Sequence, residues 1–529
     1  MPKFKSQNSG SKGKRRGVPI SDFWLLASGP MFLSFDLYLS LTLEHLKVNF
    51  LLIIAQVFNQ QRPADRKYYM SSLANIDLQL IKKYDRPGPR YTSYPPAPAF
   101  TSSFTADDFL KSLKENNAAN AELSLYYHIP FCDTLCYFCG CNMLITHSRE
   151  RIAEYLKYLK KEMELSSPYF NRNRRIGQLH WGGGTPSYLN PDEITSLTDS
   201  IKEHFVFSDD IEAGVEIDPR GLTFDHMQAF RESGFNRVSM GVQDFEIEVQ
   251  EAVNRIQPEK ITKDAVEWSR KLGFKSINLD MIYGLPYQTI ESFEKSLKKI
   301  IDISPERIAV FNFAHVPWLK SHQKLIDKST LPLPEVKLDI LKMTIELLTS
   351  SGYIYIGMDH FAKPDDELAV AQRKKTLYRN FQGYSTHAGA DLYGFGNSAI
   401  SQFNHVFAQN YKSLNDYYKA IDENRFPTVL GYMMTGDDII RQHVIMRLMC
   451  DMELNKREVE EKFGIDFDDY FADAFPKFEE FVHDNLLDLT DDRIAVKGMG
   501  RLVIRNIAMV FDAYLEKMMR EKPIFSRTV

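Results

Sequence analysis

From residue 121 onward, short runs of apolar and β-branched residues alternate with longer stretches whose apolar positions recur three and four apart. The runs are Leu123–Ile129, Ile176–Trp181, Ala213–Ile217, Arg237–Val242, Ile277–Tyr283 and Ile308–Phe313. Between them Arg149–Leu165, Pro191–Phe205, Asp225–Ser233, Ile261–Leu272 and Glu291–Ile301 show helical spacing. In the first of these, Ile152, Tyr155, Leu156 and Leu159 share one face. Such alternation calls for parallel strands joined by right-handed crossovers. Six strand–helix units fall short of the eight of a closed barrel. The predicted fold is therefore α/β, a partial (β/α)6 TIM-like barrel whose open side suits a large substrate. An open doubly wound sheet is the alternative with the same alternation.

On either side of the barrel the pattern changes. Residues 70–120 read as an N-terminal arm, 121–325 as the partial barrel, 326–430 as a region completing it on the substrate side, and 431–529 as a mainly helical C-terminal domain. In that last segment Leu487–Lys497 reads as a hairpin turning at Asp491-Asp492, followed by one helix over Arg501–Tyr514. The order resembles a winged helix. Yet Asp466, Asp468, Asp469, Asp473, Glu479 and Glu480 make the stretch acidic, which opposes phosphate binding. A packing or lid domain fits better, and no nucleic-acid partner is expected.

The first 69 residues do not match the rest. Lys3, Lys5, Lys12, Lys14, Arg15 and Arg16 precede an apolar run from Phe23 to Phe35; Asp36, Glu44 and Lys47 interrupt it before a second run, Val48 to Phe58. Neither reaches the roughly 18 apolar residues of a spanning helix. The extension is expected to be dispensable, or upstream sequence read through before a start at Met70, in preference to a signal peptide or membrane anchor.

Composition narrows the class. The 529 residues are 44% hydrophobic and 26% charged, as in a soluble chain of two or three domains. The net charge of -5 gives no general attraction to nucleic acid or anionic membranes. A cytoplasmic monomer is expected. Of five cysteines, four (Cys132, Cys136, Cys139, Cys141) fall within ten residues, and Cys450 stands alone. Clustering of this kind points to metal binding in a reducing compartment, not to a disulfide framework.

Cys132-x3-Cys136-x2-Cys139 is the most informative feature. Three thiolates from one tight loop can hold three corners of a [4Fe–4S] cubane and leave the fourth iron open to a small chelating ligand. Tyr137 and Phe138 would shield the cluster. A zinc site with Cys141 as fourth ligand competes, although a second, distant ligand pair is missing. Trp181-Gly182-Gly183-Gly184-Thr185-Pro186 follows the second run, where absent side chains let backbone approach a ligand. Other candidates lie at or beyond later strand ends, where barrel active sites collect: Glu216, Gln243, Asp244 and Asp280. A polar residue inside an apolar run must be paired or face a cavity. Arg255 and Tyr126, taken alone, would be an ordinary helix charge and a core ring.

Together these motifs support a resemblance. The chain from Met70 to its C-terminus resembles the oxygen-independent coproporphyrinogen III oxidases of the radical S-adenosylmethionine (SAM) superfamily. The likeness is carried by Pro87-Gly88-Pro89-Arg90-Tyr91-Thr92-Ser93-Tyr94-Pro95, Tyr127-His128-Ile129-Pro130-Phe131-Cys132, Cys139-Gly140-Cys141-Asn142, His180-Trp181-Gly182-Gly183-Gly184-Thr185-Pro186, Ser239-Met240-Gly241-Val242-Gln243-Asp244-Phe245 and Met358-Asp359-His360-Phe361-Ala362. It implies a [4Fe–4S] cluster on Cys132, Cys136 and Cys139. It also implies SAM, two molecules in all, against Tyr126, Phe138, Gly183, Gly184, Thr185, Glu216, Gln243, Arg255, Asp280, Ala314 and Ile400. Gln382 is placed toward the second SAM or the substrate, and Cys141 becomes a residue needed for activity without being a cluster ligand.

The implied reaction turns two propionates of coproporphyrinogen III into vinyls, giving protoporphyrinogen IX, with an unidentified electron donor and acceptor. A propionate β-carbon has no acidic proton for a side-chain base, so a radical route is needed. Arg90, Arg86, Lys363 and Arg373 are candidate partners for the substrate carboxylates. Arg86–Pro98, rich in proline and tyrosine, is expected to run as an extended arm near the active-site opening, with passive wrapping of the core as the alternative. A haem-binding chaperone of the same superfamily is the nearest rival, and a radical SAM methyltransferase a weaker one. The Arg-Tyr-Thr arm and Cys141 favour the oxidase.

Overall fold

The computed structural model describes residues 76–118, 121–521, 525 and 527. The basic and apolar extension and Met70 lie outside the described residues. Six parallel strands follow the predicted order: β1 (Leu123–Ile129), β2 (Arg175–Gly183), β3 (Val206–Ile217), β4 (Arg237–Gln243), β5 (Ser276–Tyr283) and β6 (Arg307–Asn312). A seventh, β7 (Asp391–Phe395), adds in parallel to the free edge of β1. Antiparallel strands continue the sheet at both ends, Ile400–Phe403, Val406–Asn410 and Thr428–Met433 beyond β7, and His360–Ala362 and Ile354–Gly357 beyond β6.

The order β1 to β6 runs without reversal and β1 does not pair with β6. A doubly wound sheet would reverse at a switch point. The fold is the open-sided (β/α)6 barrel of the α/β class. Helices Arg149–Ser166, Pro191–His204, Phe224–Ser233, Glu259–Lys271 and Ile290–Ile303 stand where periodicity placed them. Their starts are fixed locally; Asn190 and Glu193, for instance, form a reciprocal capping box on Pro191–His204.

Strand alternation sorts side chains between core and interior. On β4, Val238, Met240 and Val242 are buried among the helices, while Ser239, Gly241 and Gln243 lie on the other face. On β5, Leu279, Met281 and Tyr283 are core and Asp280 is opposite. The strand ends therefore present polar groups to the inside of the barrel.

The region after 430 is mainly helical, with helices Gly436–Asp451, Lys456–Phe463 and Phe475–His483 around a small antiparallel sheet of Glu453–Asn455, Arg493–Val496 and Leu487–Leu489. The hairpin expected over Leu487–Lys497 is present. The single helix expected over Arg501–Tyr514 is not. It is broken into Ile504–Ala508, a 3-10 turn Met509–Phe511 and a new helix from Leu515. Asp512 causes the break: its backbone is extended, and its carboxylate accepts from Tyr514 N (2.8 Å), Leu515 N (3.1 Å) and Tyr91 Oη (2.8 Å). A local cap outcompetes helix continuation.

Tyr91 and Tyr94 of the arm are fully buried in this second core, beside Val444, Leu448 and Phe511. Arg505 donates to the carbonyls of Gly88 and Pro89, and Ala513 N donates to Tyr94 Oη (3.0 Å). The arm is thus packed into the C-terminal region through its tyrosines. Among the described residues no helix is long and apolar enough to cross a membrane.

Candidate active site

The cysteine loop starts where β1 ends. Phe131–Cys132 pairs in parallel with Leu144–Ile145, closing the loop at its base. Its far side is held by backbone and side chains from two other segments. Tyr137 N donates to Val253 O (2.9 Å) and Asn254 Nδ2 to Leu135 O (2.8 Å). His322 Nε2 donates to Cys139 O (2.8 Å), Lys320 Nζ to Cys141 O (2.9 Å) and Gln323 Nε2 to Phe138 O (3.1 Å). The loop is preorganised.

The glycine loop lies directly beneath it. Gly184 N donates to Ile129 O and Thr185 N to Phe131 O, both at 2.8 Å. A Cβ on Gly184 would sit 2.5 Å from Pro130 O, and Gly183 has φ +116°, so neither position takes an ordinary side chain without displacement. Thr185 Oγ1 stands 3.2 Å from Cys132 Sγ.

A cavity of about 890 Å³ opens over these loops. Cys132, Cys136, Cys139 and Cys141 line it, together with Phe138, Gly183, Gly184, Thr185, Glu216, Gln243, Arg255 and Asp280. Glu216 accepts from His180 Nε2 (3.3 Å) and Gly183 N (3.2 Å). Burial pushes its carboxyl up, but these donors outweigh burial and hold it below its ordinary value. Asp280 is pushed up to about 7 by burial, although Asn278 Nδ2 (2.7 Å) and Ser239 Oγ (3.2 Å) donate to it. One carboxylate is thus firmly anionic and the other poised near neutrality.

Two arginines flank the second cysteine. Arg220 Nη2 lies 3.3 Å and Arg255 Nη1 3.6 Å from Cys136 Sγ. Asp218 holds both guanidiniums, accepting from Arg220 Nη2 (2.7 Å) and Nε (3.1 Å) and from Arg255 Nη1 (3.0 Å). Sequence reasoning missed Arg220, Asp218 as a clamp, and the His180–Glu216 contact. Only the His-Trp-Gly-Gly-Gly motif hinted at the last.

Several expected residues lie outside this cavity's wall. Tyr126 is inside the barrel, its ring stacked on His180 and its hydroxyl 3.0 Å from His128 Nδ1. Ala314 lines a second cavity of about 380 Å³ with Arg90, Asp359 and Lys337. Ile400 packs near Phe100 and Phe407, and its backbone closely approaches Gly394 on β7. Gln382 sits in the turn between strands Tyr378–Asn380 and Gly383–Ser385, its Nε2 buried without a partner. Asp244 is buried away from the cavity and binds Gln288 Nε2 (2.6 Å) and Ser296 Oγ (2.7 Å), a packing role. Lys363 is paired with Glu306 and Arg373 with Pro364 O; neither lines a cavity described here.

The side chains present fit the cluster and SAM. Cys132, Cys136 and Cys139 line one cavity with the glycine loop, so three thiolates from one loop can each take one iron of a cubane. Burial raises the Cys132 thiol to about 12, so thiolate formation there depends on a cationic partner. Gln243 Oε1 and Arg255 Nε are buried without partners beside the glycine cradle, as polar atoms awaiting a ligand would be.

Comparison with known proteins gives the same answer. Residues 126–300 match the radical SAM superfamily and 434–503 the HemN C-terminal domain. Oxygen-independent coproporphyrinogen III oxidase from Synechocystis is 46% identical over 86% of this chain and 98% of its own length; the Escherichia coli protein of that name is 47% identical with the same coverage. The chain belongs to the oxygen-independent coproporphyrinogen III oxidase family. The structure of the Escherichia coli member, described as a radical SAM enzyme, superposes with a TM-score of 0.80, covering 83% of this chain and 99% of that one at 46% identity. The cofactors of this family member are a [4Fe–4S] cluster and SAM.

Proposed function

We propose that this chain oxidatively decarboxylates two propionates of coproporphyrinogen III to vinyls, giving protoporphyrinogen IX, at the cavity over the cysteine loop. The observation that carries the reading is the meeting of Cys132, Cys136 and Cys139 with the glycine loop, Glu216, Gln243, Arg255 and Asp280 around one space. Bound there, cluster and SAM supply a hydrogen-abstracting radical, which an unactivated propionate carbon requires.

The chain's own residues have binding and orienting tasks. Cys132, Cys136 and Cys139 hold three irons. Gly183, Gly184 and Thr185 offer bare backbone to the amino-acid end of SAM, and the Glu216 carboxylate, kept anionic by His180 and Gly183 N, is matched to its ammonium. Phe138, Gln243, Arg255 and Asp280 complete that pocket, with Tyr126 bracing His180. Ala314 and Ile400 contribute from neighbouring segments, and Gln382, with its unpartnered Nε2, faces the second SAM or the substrate. Cys141 acts beside the cluster without ligating it. Arg90, which pairs with Asp359 and lines the smaller cavity with Ala314, is our candidate partner for a substrate carboxylate.

Anaerobic reconstitution, followed by assay of carbon dioxide release from coproporphyrinogen III with SAM and a reductant, tests the reading. Wild type should release carbon dioxide, and Cys139→Ala should lose both iron and turnover. Full activity in Cys139→Ala, or stable haem binding by wild type without any release, would overturn it.

A further inference from the structure

Arg220 is a charged group that the reading above leaves without a task. It follows β3 in the segment Asp218-Pro219-Arg220 and lines the cluster cavity, its guanidinium aimed at Cys136 Sγ from 3.3 Å. Its orientation is fixed: Nε donates to both Asp218 oxygens, Nη2 donates to Oδ2, and Arg220 N also donates to Oδ1 (2.9 Å). Asp218 N in turn donates to Ser187 Oγ at 3.1 Å. Of the other two ligand cysteines, Cys132 meets the neutral Thr185 hydroxyl, and Cys139 is hydrogen-bonded by its neighbour Cys141 in the field of His322 and Lys320, with no guanidinium against either sulfur. The three corners are therefore unequal, and Cys136 alone faces guanidinium.

We propose that Arg220 is a redox-positioning residue, donating a charge-assisted N–H to the Cys136 thiolate and raising the reduction potential of the cluster. The inference rests on the assignment of the cluster to Cys132, Cys136 and Cys139. In the step concerned, a low-potential one-electron reductant gives one electron to the oxidised cluster, and no bond forms or breaks in the protein. The cluster gains one unit of negative charge, so a cation against a ligand sulfur stabilises the reduced form more than the oxidised one. Hydrogen bonds to cluster sulfurs are among the levers by which proteins set such potentials. One carboxylate, Asp218, serves two guanidiniums, which leaves an unbalanced positive charge beside Cys136. Arg255 Nη1 is further from the sulfur, at 3.6 Å, and its Nη2 is committed to Gly241 O (2.7 Å), so Arg220 makes the stronger contact.

The test uses the full chain, reconstituted anaerobically without SAM, with cluster content from iron and sulfide analysis and the potential from a redox titration followed by electron paramagnetic resonance. Arg220→Met should load the cluster and titrate at a more negative potential than wild type. Arg220→Lys, which keeps the charge but loses the fork, should fall between. Arg220→Gln guards against a Met variant that fails to load, and it too should titrate below wild type. Potentials equal to wild type in loaded Arg220→Met or Arg220→Gln would overturn the proposal. Failure of wild type to load iron at all would instead refute the cluster assignment beneath it, and the two failures are separated by iron analysis alone.

Discussion

Replacing Gly184 by alanine should disable the site through one methyl group. The new Cβ would meet Pro130 O at 2.5 Å, Pro130 C at 2.6 Å and Phe131 O at 2.9 Å, all backbone atoms of the segment that delivers Cys132. Close carbon–oxygen contacts settle no nearer than about 3.3 Å, so the two loops must separate by roughly 0.8 Å. No flexible side chain can absorb this. The cheapest relief is to stretch the bonds from Gly184 N to Ile129 O and from Thr185 N to Phe131 O, each worth about 1 kcal/mol. The apoprotein should therefore lose about 2 kcal/mol, within the usual range for overpacking, and still fold. The cluster is less forgiving, since ligand distances tolerate only about 0.2 Å. Gly184→Ala should lose most of its iron and sulfide after anaerobic reconstitution, with a modest fall in melting temperature. Gly140→Ala is the internal control: it lies between two cysteines of the same motif, yet its Cβ would meet nothing within 4 Å. Equal iron uptake by wild type and Gly184→Ala, at equal melting temperature, would refute the reasoning.

Cys450 is fully buried near Leu377 and Tyr384, and burial raises its thiol to about 12. Cys450→Ala should leave iron content unchanged at a cost of about 1 kcal/mol, and native alkylation should spare Cys450; iron loss in this variant would give it a role in the cluster. The His360 imidazole, edge-on to Phe311 and Tyr384, is held down to about 3 by burial and is neutral in the folded chain. Because its folded-state value is depressed, the stability it contributes is complete above about pH 6.5 and is lost as pH falls toward 3, amounting to roughly 2 kcal/mol by pH 5. Denaturant unfolding of His360→Gln should show a correspondingly shallower decline between about pH 7 and 5, and parallel curves for variant and wild type would refute the assignment.

The barrel was legible because each strand repeats a simple rule. β4 alternates throughout and β5 from Ile277 onward, so their buried apolar residues identified strands and Ser239, Gln243 and Asp280 identified the interior face. Asp280 and Glu216 could be singled out for the same reason: a carboxylate in an apolar run has few structural explanations. Elements that break the rule were hidden. β3 begins at Val206, but Ser208, Asp209 and Asp210 mask its first half. β7 is a five-residue strand containing Gly394, too short to show a period, and its partner β1 lies far back in the chain. The broken C-terminal helix escaped because an aspartate inside an apolar-periodic stretch gives no sign that its carboxylate will cap the next helix, as Asp512 does for Tyr514 N and Leu515 N. Arg220 escaped for a similar reason, since a loop arginine in sequence is indistinguishable from a surface charge.

Net charge also says little about what this site can hold. The chain carries -5 overall, while a thiolate-ligated cluster and a substrate with four carboxylates are both anionic. Local placement decides, because screening confines exposed charges to roughly 10 Å and buried ones act more strongly at short range. Asp218 neutralises only one of the two guanidiniums at Cys136, and Lys320 and His322 donate to the carbonyls of the same loop. Asp280, poised near 7, adds less negative charge than its formula suggests, and Glu216 is held anionic at the glycine loop by His180 and Gly183. Cationic side chains therefore contact the loop at Cys136 Sγ and at its carbonyls, while the anionic carboxylate suited to a cationic amino group stays at the glycine loop. That separation, cations at the sulfurs and carboxylates one strand away, allows one cavity to hold an anionic cluster and a cationic cosubstrate side by side.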